Sequence, residues 1–232
     1  MNIINFLLIA GMYALGGLFY SSLPNMMPMH WNYLGQIDSY MPKHIALWYM
    51  PTLTLVMALS FMILPFFDPK KEKYQLFAHE WGIMQMGIIG FMAYVHGMII
   101  YLTLNPSVQM MPLMFIGLGA LFILMGNYMS KIRQNYFIGV KTPWTLASED
   151  NWNKTHRYAS WSFVLAGIVC LAESYFIWYA HIIILGSILL AAFLPIMYSF
   201  LLYKKAAHTM KYIYAGIIVI ALLSIGIMGK ML

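Results

Sequence analysis

Seven apolar runs, each about as long as a membrane span, divide this chain of 232 residues. A helix needs about 20 apolar residues to cross about 30 Å of hydrocarbon. The runs cover approximately residues 3–20, 45–67, 81–104, 111–129, 158–180, 181–203 and 212–228. Only 9% of the residues are charged, too few to cover a water-soluble domain of this size. We therefore expect an all-α, polytopic transmembrane bundle that forms one membrane domain over residues 1–232.

The positive charges predict how the bundle is oriented. Three connections, at residues 68–80, 130–157 and 204–211, hold eleven of the thirteen Lys and Arg residues. Cytoplasmic loops of membrane proteins are enriched in Lys and Arg. With seven spans, this rule places the N-terminus inside and the C-terminus outside the cell. The net charge of +6 then reflects topology, and we expect no direct binding of nucleic acid.

Sequence signatures of enzymes are absent. The chain has no Gly-x-Ser-x-Gly elbow, no phosphate-binding Gly-x-x-x-x-Gly-Lys and no Cys-x-x-Cys. The histidines and acids of the outer connection lack the local spacing of a zinc motif. We therefore expect a protein that is not an enzyme and that has no cofactor and no metal.

Two ionisable residues lie deep within predicted spans. His96 and Glu173 each stand 15 residues beyond the start of a span, Trp81 and Tyr158, and both spans run in the same direction. At about 1.5 Å per residue, both side chains lie about 22 Å from the inner end. Because burying such a group costs about 2.5–3.5 kcal/mol, we expect His96 and Glu173 to form a hydrogen-bonded pair inside the bundle.

Helix-start signals organise the inner connection. Thr142-Pro143 resembles an N-cap with proline at the first helical position, and Ser148-Glu149-Asp150 repeats the signal. In a helix that starts there, four residues at three- and four-residue spacing share one face: Trp152, Thr155, His156 and Ala159. We expect this face to dock on the preceding loop, residues 135–144. Pro195, inside the sixth run, should kink its helix.

Two polar inserts carry ordered motifs. The insert at residues 21–44, outside the cell in this orientation, contains His30, Trp31, Asn32, Gly35, Asp38, Tyr40 and Lys43. The inner region at residues 126–157 contains Asn127, Asn135, Tyr136, Gly139, Lys141, Thr142, Pro143, Trp144, Thr145, Trp152, Thr155, His156 and Arg157. We name these regions the outer cap and the inner lobe. Both motifs, in this order and flanked by spans, resemble those of the SdpI family of bacterial membrane proteins and its associated N-terminal domain of unknown function.

The resemblance spans about residues 21–176 and leaves the C-terminal helix pair, residues 181–228, unexplained. It implies a multi-pass protein of the bacterial plasma membrane that gives immunity to a secreted antimicrobial peptide toxin. It also implies signal transduction, in which toxin outside leads the protein to hold a small winged-helix autorepressor at the membrane. The outer motif is then the toxin-facing candidate, and the inner motif is either partner-facing or structural.

Other functions remain open from the residues themselves. A secondary transporter of a small amphipathic solute would use His96 and Glu173 as a proton path. A third hypothesis is a structural or assembly factor that has no ligand of its own. For the inner motif, the alternative to partner binding is that Lys141 and Arg157 only fix topology.

Overall fold

The computed structural model describes residues 2–176 and 180–204 of the chain. Its α-helices are α1 (Ile3–Phe19), α2 (Lys43–Phe67), α3 (Ala78–Leu104), α4 (Met110–Met129), α5 (Pro143–Ala147), α6 (Glu149–Phe176), α7 (Ala180–Ile188) and α8 (Leu194–Tyr203). A 3-10 helix covers Lys71–Phe77 and a π-helix covers Leu189–Phe193. Two strands, β1 (Met26–Trp31) and β2 (Ile37–Pro42), complete the described elements.

Long apolar helices confirm the predicted membrane bundle. Within the residues that the structure describes, five helical segments are long and apolar enough to cross a membrane, at Lys43–Phe67, Lys71–Leu104, Met110–Met129, Glu149–Phe176 and Leu185–Tyr203. The first helix, α1, is apolar but shorter. The seventh predicted span, at 212–228, lies outside the described residues, and so do residues 177–179 beside the expected boundary between the fifth and sixth spans.

Close contact between α4 and α6 holds the middle of the bundle together. A Cβ on Gly126 would lie 2.8 Å from the Ser160 carbonyl oxygen, and one on Gly167 would lie 2.7 Å from that of Gly119. Small residues at such crossings let helix backbones approach and gain van der Waals contact, which drives association where water is absent. Gly119 and Gly167 therefore face each other across this contact.

The outer cap contains a β-hairpin, which the pattern of apolar runs did not predict. Strands β1 and β2 pair antiparallel, with Met26 opposite Pro42 and Trp31 opposite Ile37. Irregular pairing around His30 marks a bulge. The bundle is helical as predicted, and the hairpin is a small addition at one end of it.

The outer cap and the inner lobe lie at opposite ends of α3. Trp31 of the cap packs on Met98, Leu102 and Met110, where α3 ends and α4 begins. The lobe packs near the other end, where Trp152 and Trp81 belong to one buried cluster. At about 1.5 Å per residue, the 27 residues of α3 separate the two regions by about 40 Å. This separation matches the thickness of a bilayer with its headgroups.

The last described helical segment is continuous but changes its winding. The π-helix follows α7, and the Leu194 N–H donates to the Leu189 carbonyl five residues earlier. Pro195 then stands in the first turn of α8. Proline cannot donate a hydrogen bond and clashes with the preceding turn, and a wider π turn accommodates both effects. The sequence does not predict this π turn, and the kink expected at Pro195 stays a prediction.

Candidate functional site

Four motif residues of the outer cap build its shape. The Asn32 side-chain oxygen accepts from the backbone N–H groups of Leu34, at 2.9 Å, and Gln36, at 3.0 Å, which closes the turn between the strands. Gly35 completes that turn with a φ of +77°. Lys43 donates to the Leu23 carbonyl at 2.9 Å and also to that of Tyr20, which fixes the chain entering the cap. Trp31, the fourth, anchors the hairpin on the bundle.

The other three motif residues of the cap are displayed on its free face. His30 Nδ1 lies 2.5 Å from Asp38 Oδ1, with side-chain exposures of 68% and 42%. Tyr40 is 55% exposed and stands two residues beyond Asp38, on the same face of β2. Met41, on the opposite face, packs against the helices. The cap therefore presents an imidazole, a carboxylate and a phenol together, away from the bundle.

A buried contact between Gly139 and His156 fixes the loop of the inner lobe. Gly139 has a φ of +107°, and a Cβ on it would lie only 2.2 Å from His156 Nε2. This nitrogen accepts the Val140 N–H at 3.0 Å, so the other nitrogen, Nδ1, carries the proton given to the Trp152 carbonyl. The fully buried imidazole is thus a neutral structural group whose two nitrogens are both used.

Further motif residues of the lobe hold backbone groups. The Asn135 oxygen accepts from the N–H groups of Phe137, at 2.9 Å, and Ile138, at 2.7 Å. Thr142 and Thr145 form a capping box at the start of α5, as the Thr142-Pro143 pair predicts. Each of these polar side chains therefore satisfies backbone groups that the loop leaves without helical partners.

The predicted docking of α6 on the lobe is confirmed. Trp152, Thr155, His156 and Ala159 are all fully buried on one face of the helix. Trp152 Nε1 donates to the Ile132 carbonyl at 2.8 Å, and the Trp152 ring stacks on that of His156. The capping signal at Ser148 is also present, since its hydroxyl accepts the Asn151 N–H at 3.2 Å.

The connection before α3 also packs on the lobe. The sequence analysis did not predict this contact. Asp68 is 2% exposed and accepts hydrogen bonds from the Tyr74 hydroxyl, at 3.0 Å, and from the Tyr136 N–H, at 2.9 Å. A carboxylate oxygen can only accept in these contacts, so the Tyr74 hydroxyl is the donor. The Asp68-Pro69 pair after an apolar run was a turn signal that would have pointed to this junction.

Ser199 of α8 attaches the last described helix to the lobe. No local sequence motif predicts this contact. Its hydroxyl accepts Trp144 Nε1 at 2.5 Å and lies 3.4 Å from the Thr142 hydroxyl. The Ser199 carbonyl accepts the Asn151 side-chain amide at 3.0 Å. The Trp144 ring also packs on that of Tyr203. Part of the C-terminal helix pair is thereby joined to the inner motif.

Only a minority of the inner motif residues are exposed. Tyr136, Lys141, Pro143 and Arg157 are exposed, and so is Asn127, whose amide donates back to its own helix at Ile123. The connections at 68–80 and 130–157 together carry eight basic and five acidic residues. The lobe end of the bundle therefore presents a positively charged surface, and most of its neutral motif residues are folded inside.

The two intramembrane residues are both buried, at 1% exposure for His96 and 8% for Glu173. His96 Nε2 lies 3.1 Å from the Met12 carbonyl oxygen, which ties α3 to α1. α6, which carries Glu173, packs on α4. A direct hydrogen bond between His96 and Glu173 stays a prediction. Among residues 2–176 and 180–204, no group of three His, Cys, Asp or Glu side chains lies close enough to hold a metal ion.

Comparison with known proteins supports the resemblance seen in the motifs. Residues 131–199 match the SdpI/YfhL protein family, and residues 7–55 match a domain of unknown function, DUF1648. The immunity protein SdpI of Bacillus subtilis (strain 168) is 26% identical over 205 residues, which are 88% of this chain and 96% of that protein. No solved structure matches. The family region reaches residue 199 and so includes α7, the π-helix and Ser199.

Proposed function

We propose that this chain is a non-enzymatic membrane protein that protects its bacterium against a secreted antimicrobial peptide. Its DUF1648 match, at residues 7–55, precedes its SdpI/YfhL match, at residues 131–199. The main support is its relation, over most of both chains, to an immunity protein. The helical membrane bundle suits this role, because the target of a membrane-active peptide and its protector then share the bilayer.

In this proposal the free face of the outer cap meets the peptide. His30, Asp38 and Tyr40 stand together on that face, whereas Trp31, Asn32, Gly35 and Lys43 shape the cap beneath them. Exposed aromatic and charged groups on a rigid hairpin suit recognition of an amphipathic peptide at the membrane surface. The lobe, rich in Lys and Arg, faces the cytoplasm.

Protection can be measured in Bacillus subtilis deleted for its own SdpI and grown in conditioned medium of the parent strain. Expression of this chain should restore growth. Tyr40→Ala should lower the tolerated dose about fivefold or more, the factor for a contact residue contributing over about 1 kcal/mol. Ser22→Ala, at an exposed position in the turn before the hairpin, is the control and should protect fully.

Two results would count against this proposal. Absence of protection at normal membrane levels of the protein would remove the immunity function. Full protection by the His30→Ala, Asp38→Ala and Tyr40→Ala variants would instead remove the cap face as the contact surface, while leaving immunity in place.

A sensing role is a further part of the proposal. The exposed basic side chain of Arg157 and the exposed ring of Tyr136 lie on the lobe, where a small winged-helix repressor would be held. For a signal to pass, the peptide must bind one state of the bundle more tightly than another. A reporter fused to the protein's own promoter should respond to peptide, and Arg157→Gln should abolish that response while protection remains. A response unchanged by Arg157→Gln would contradict this part.

Transport is the alternative function, and the burial of His96 and Glu173 within the bundle is the observation that favours it. Proteoliposomes would then show solute flux that depends on a proton gradient and is lost in Glu173→Gln. Immunity predicts that Glu173→Gln still protects when its membrane level is normal.

A further inference from the structure

A cavity of about 390 Å³ lies where the inner lobe meets the helices. Its walls come from α3, α4, α6, α8, the loop around Gly139, and the π-helix. Three methionines, Met84, Met125 and Met129, form much of one side. Its size falls within the usual range of ligand pockets, about 300–1,000 Å³.

Small residues contribute to the wall of the cavity. Gly139 cannot carry a side chain, since His156 occupies the position of a Cβ. Across the cavity, the π-helix contributes Ala191 and Ala192. π turns within helices occur frequently at functional sites. Ala192 and Ile196, both exposed, border the cavity within a membrane-spanning segment, so the cavity opens toward lipid.

The lining chemistry combines apolar walls with one cation. Methionine is flexible and polarizable, and it adapts to apolar ligands of irregular shape. Lys141 is the charged residue among those that line the cavity. Its ammonium donates to the Phe137 carbonyl at 2.9 Å, which leaves capacity for two more hydrogen bonds.

We propose that this cavity binds one acyl chain of an anionic phospholipid, with the lipid phosphate held by Lys141. The leaflet at the lobe end supplies the lipid, because the cavity opens between spanning helices beside the polar loop. Charge complementarity selects an anionic headgroup over a zwitterionic one. This site is separate from the exposed cap face and does not depend on the proposed immunity.

Native mass spectrometry of the full chain, titrated with dioleoyl phosphatidylglycerol or dioleoyl phosphatidylcholine, tests the proposal. Phosphatidylglycerol should bind more tightly, and Lys141→Gln should weaken it about fivefold, the factor for about 1 kcal/mol per basic residue near a membrane surface. Phosphatidylcholine binding should not change in this variant. Lys154→Gln is the matched control, since Lys154 pairs with Asp150 at 2.8 Å on the same lobe, and it should bind phosphatidylglycerol normally.

A second variant tests the cavity itself. Ala192→Leu places a larger side chain in the opening and should weaken binding of both lipids. Equal affinity for the two lipids in the wild-type chain would overturn the proposal, and so would unchanged phosphatidylglycerol binding in Lys141→Gln. If Ala192→Leu does not fold, the Lys141 comparison still decides between the outcomes.

Discussion

Replacing Gly139 with alanine should destabilise the inner lobe. The alanine Cβ would lie 2.2 Å from His156 Nε2, far inside van der Waals contact. The φ of +107° is also a conformation that residues with side chains rarely adopt. Both effects act on the same loop, so neither can relax without disturbing the other.

The size of the effect follows from these two contributions. Backbone strain of this kind costs about 1–3 kcal/mol. Displacing the imidazole leaves the buried Val140 N–H or the Trp152 carbonyl without its partner, which costs about 1–3 kcal/mol more. We therefore expect Gly139→Ala to lower the free energy of unfolding by about 2–6 kcal/mol. At about 2–4 °C per kcal/mol, the melting temperature falls by at least about 4 °C.

The assay is thermal unfolding of the purified protein in detergent, followed by intrinsic fluorescence. Gly11→Ala is the control, because within the described residues nothing beyond the adjoining backbone of α1 lies within 4 Å of a Cβ at that position. The double variant Gly139→Ala/His156→Ala should lose less stability than the sum of the two single variants, since the clash disappears with the ring. Equal melting temperatures for Gly139→Ala and wild type would refute the reasoning.

Two further predictions concern the ends of the bundle. Gly35→Ala should lower the stability of the hairpin by about 1–2 kcal/mol, because Gly35 has a positive φ and its Cβ would lie 3.0 Å from Met111. External protease should then cleave the cap faster, and unchanged cleavage would contradict this. Ser199→Ala should lower stability by about 1–3 kcal/mol, because Trp144 Nε1 loses its acceptor. Ser174→Ala, which removes only an exposed hydroxyl bond within its own helix, should leave the melting temperature unchanged, and an equal loss in both serine variants would argue against the attachment of α8.

The spans were predictable because the bilayer allows few solutions. A backbone in hydrocarbon must satisfy its own hydrogen bonds, so an apolar run of the right length becomes a helix. The start of α5 and the buried face of α6 were predictable because both depend on residues close together in the sequence. A cap is formed within about three residues, and residues three or four positions apart share one face of a helix.

The hairpin and the π-helix were harder to predict. Pro28 lies within β1, where a proline argues against a strand, and the strand shows no alternation of polar and apolar residues. The turn residues Asn32 and Gly35 were the available clue. Pro195 indicated a disturbance in its helix but not the π turn that accommodates it.

The division of the motifs into buried and displayed residues could not be read from the sequence. His156 and Gly139 are 17 positions apart in the chain, and their contact arises only when α6 packs on the loop. Ser199 lies farther still from Trp144 and stands in an ordinary apolar helix. Such contacts depend on tertiary packing, which no local spacing encodes.

The most direct test of the account is labelling with a membrane-impermeant maleimide, in a Cys170→Ser background. Tyr40→Cys, on the free face of the cap, should react in intact cells, whereas Lys141→Cys, on the lobe, should react only after the cells are opened. The reverse pattern would place the lobe outside and the cap inside, and would contradict the orientation on which the proposed function rests.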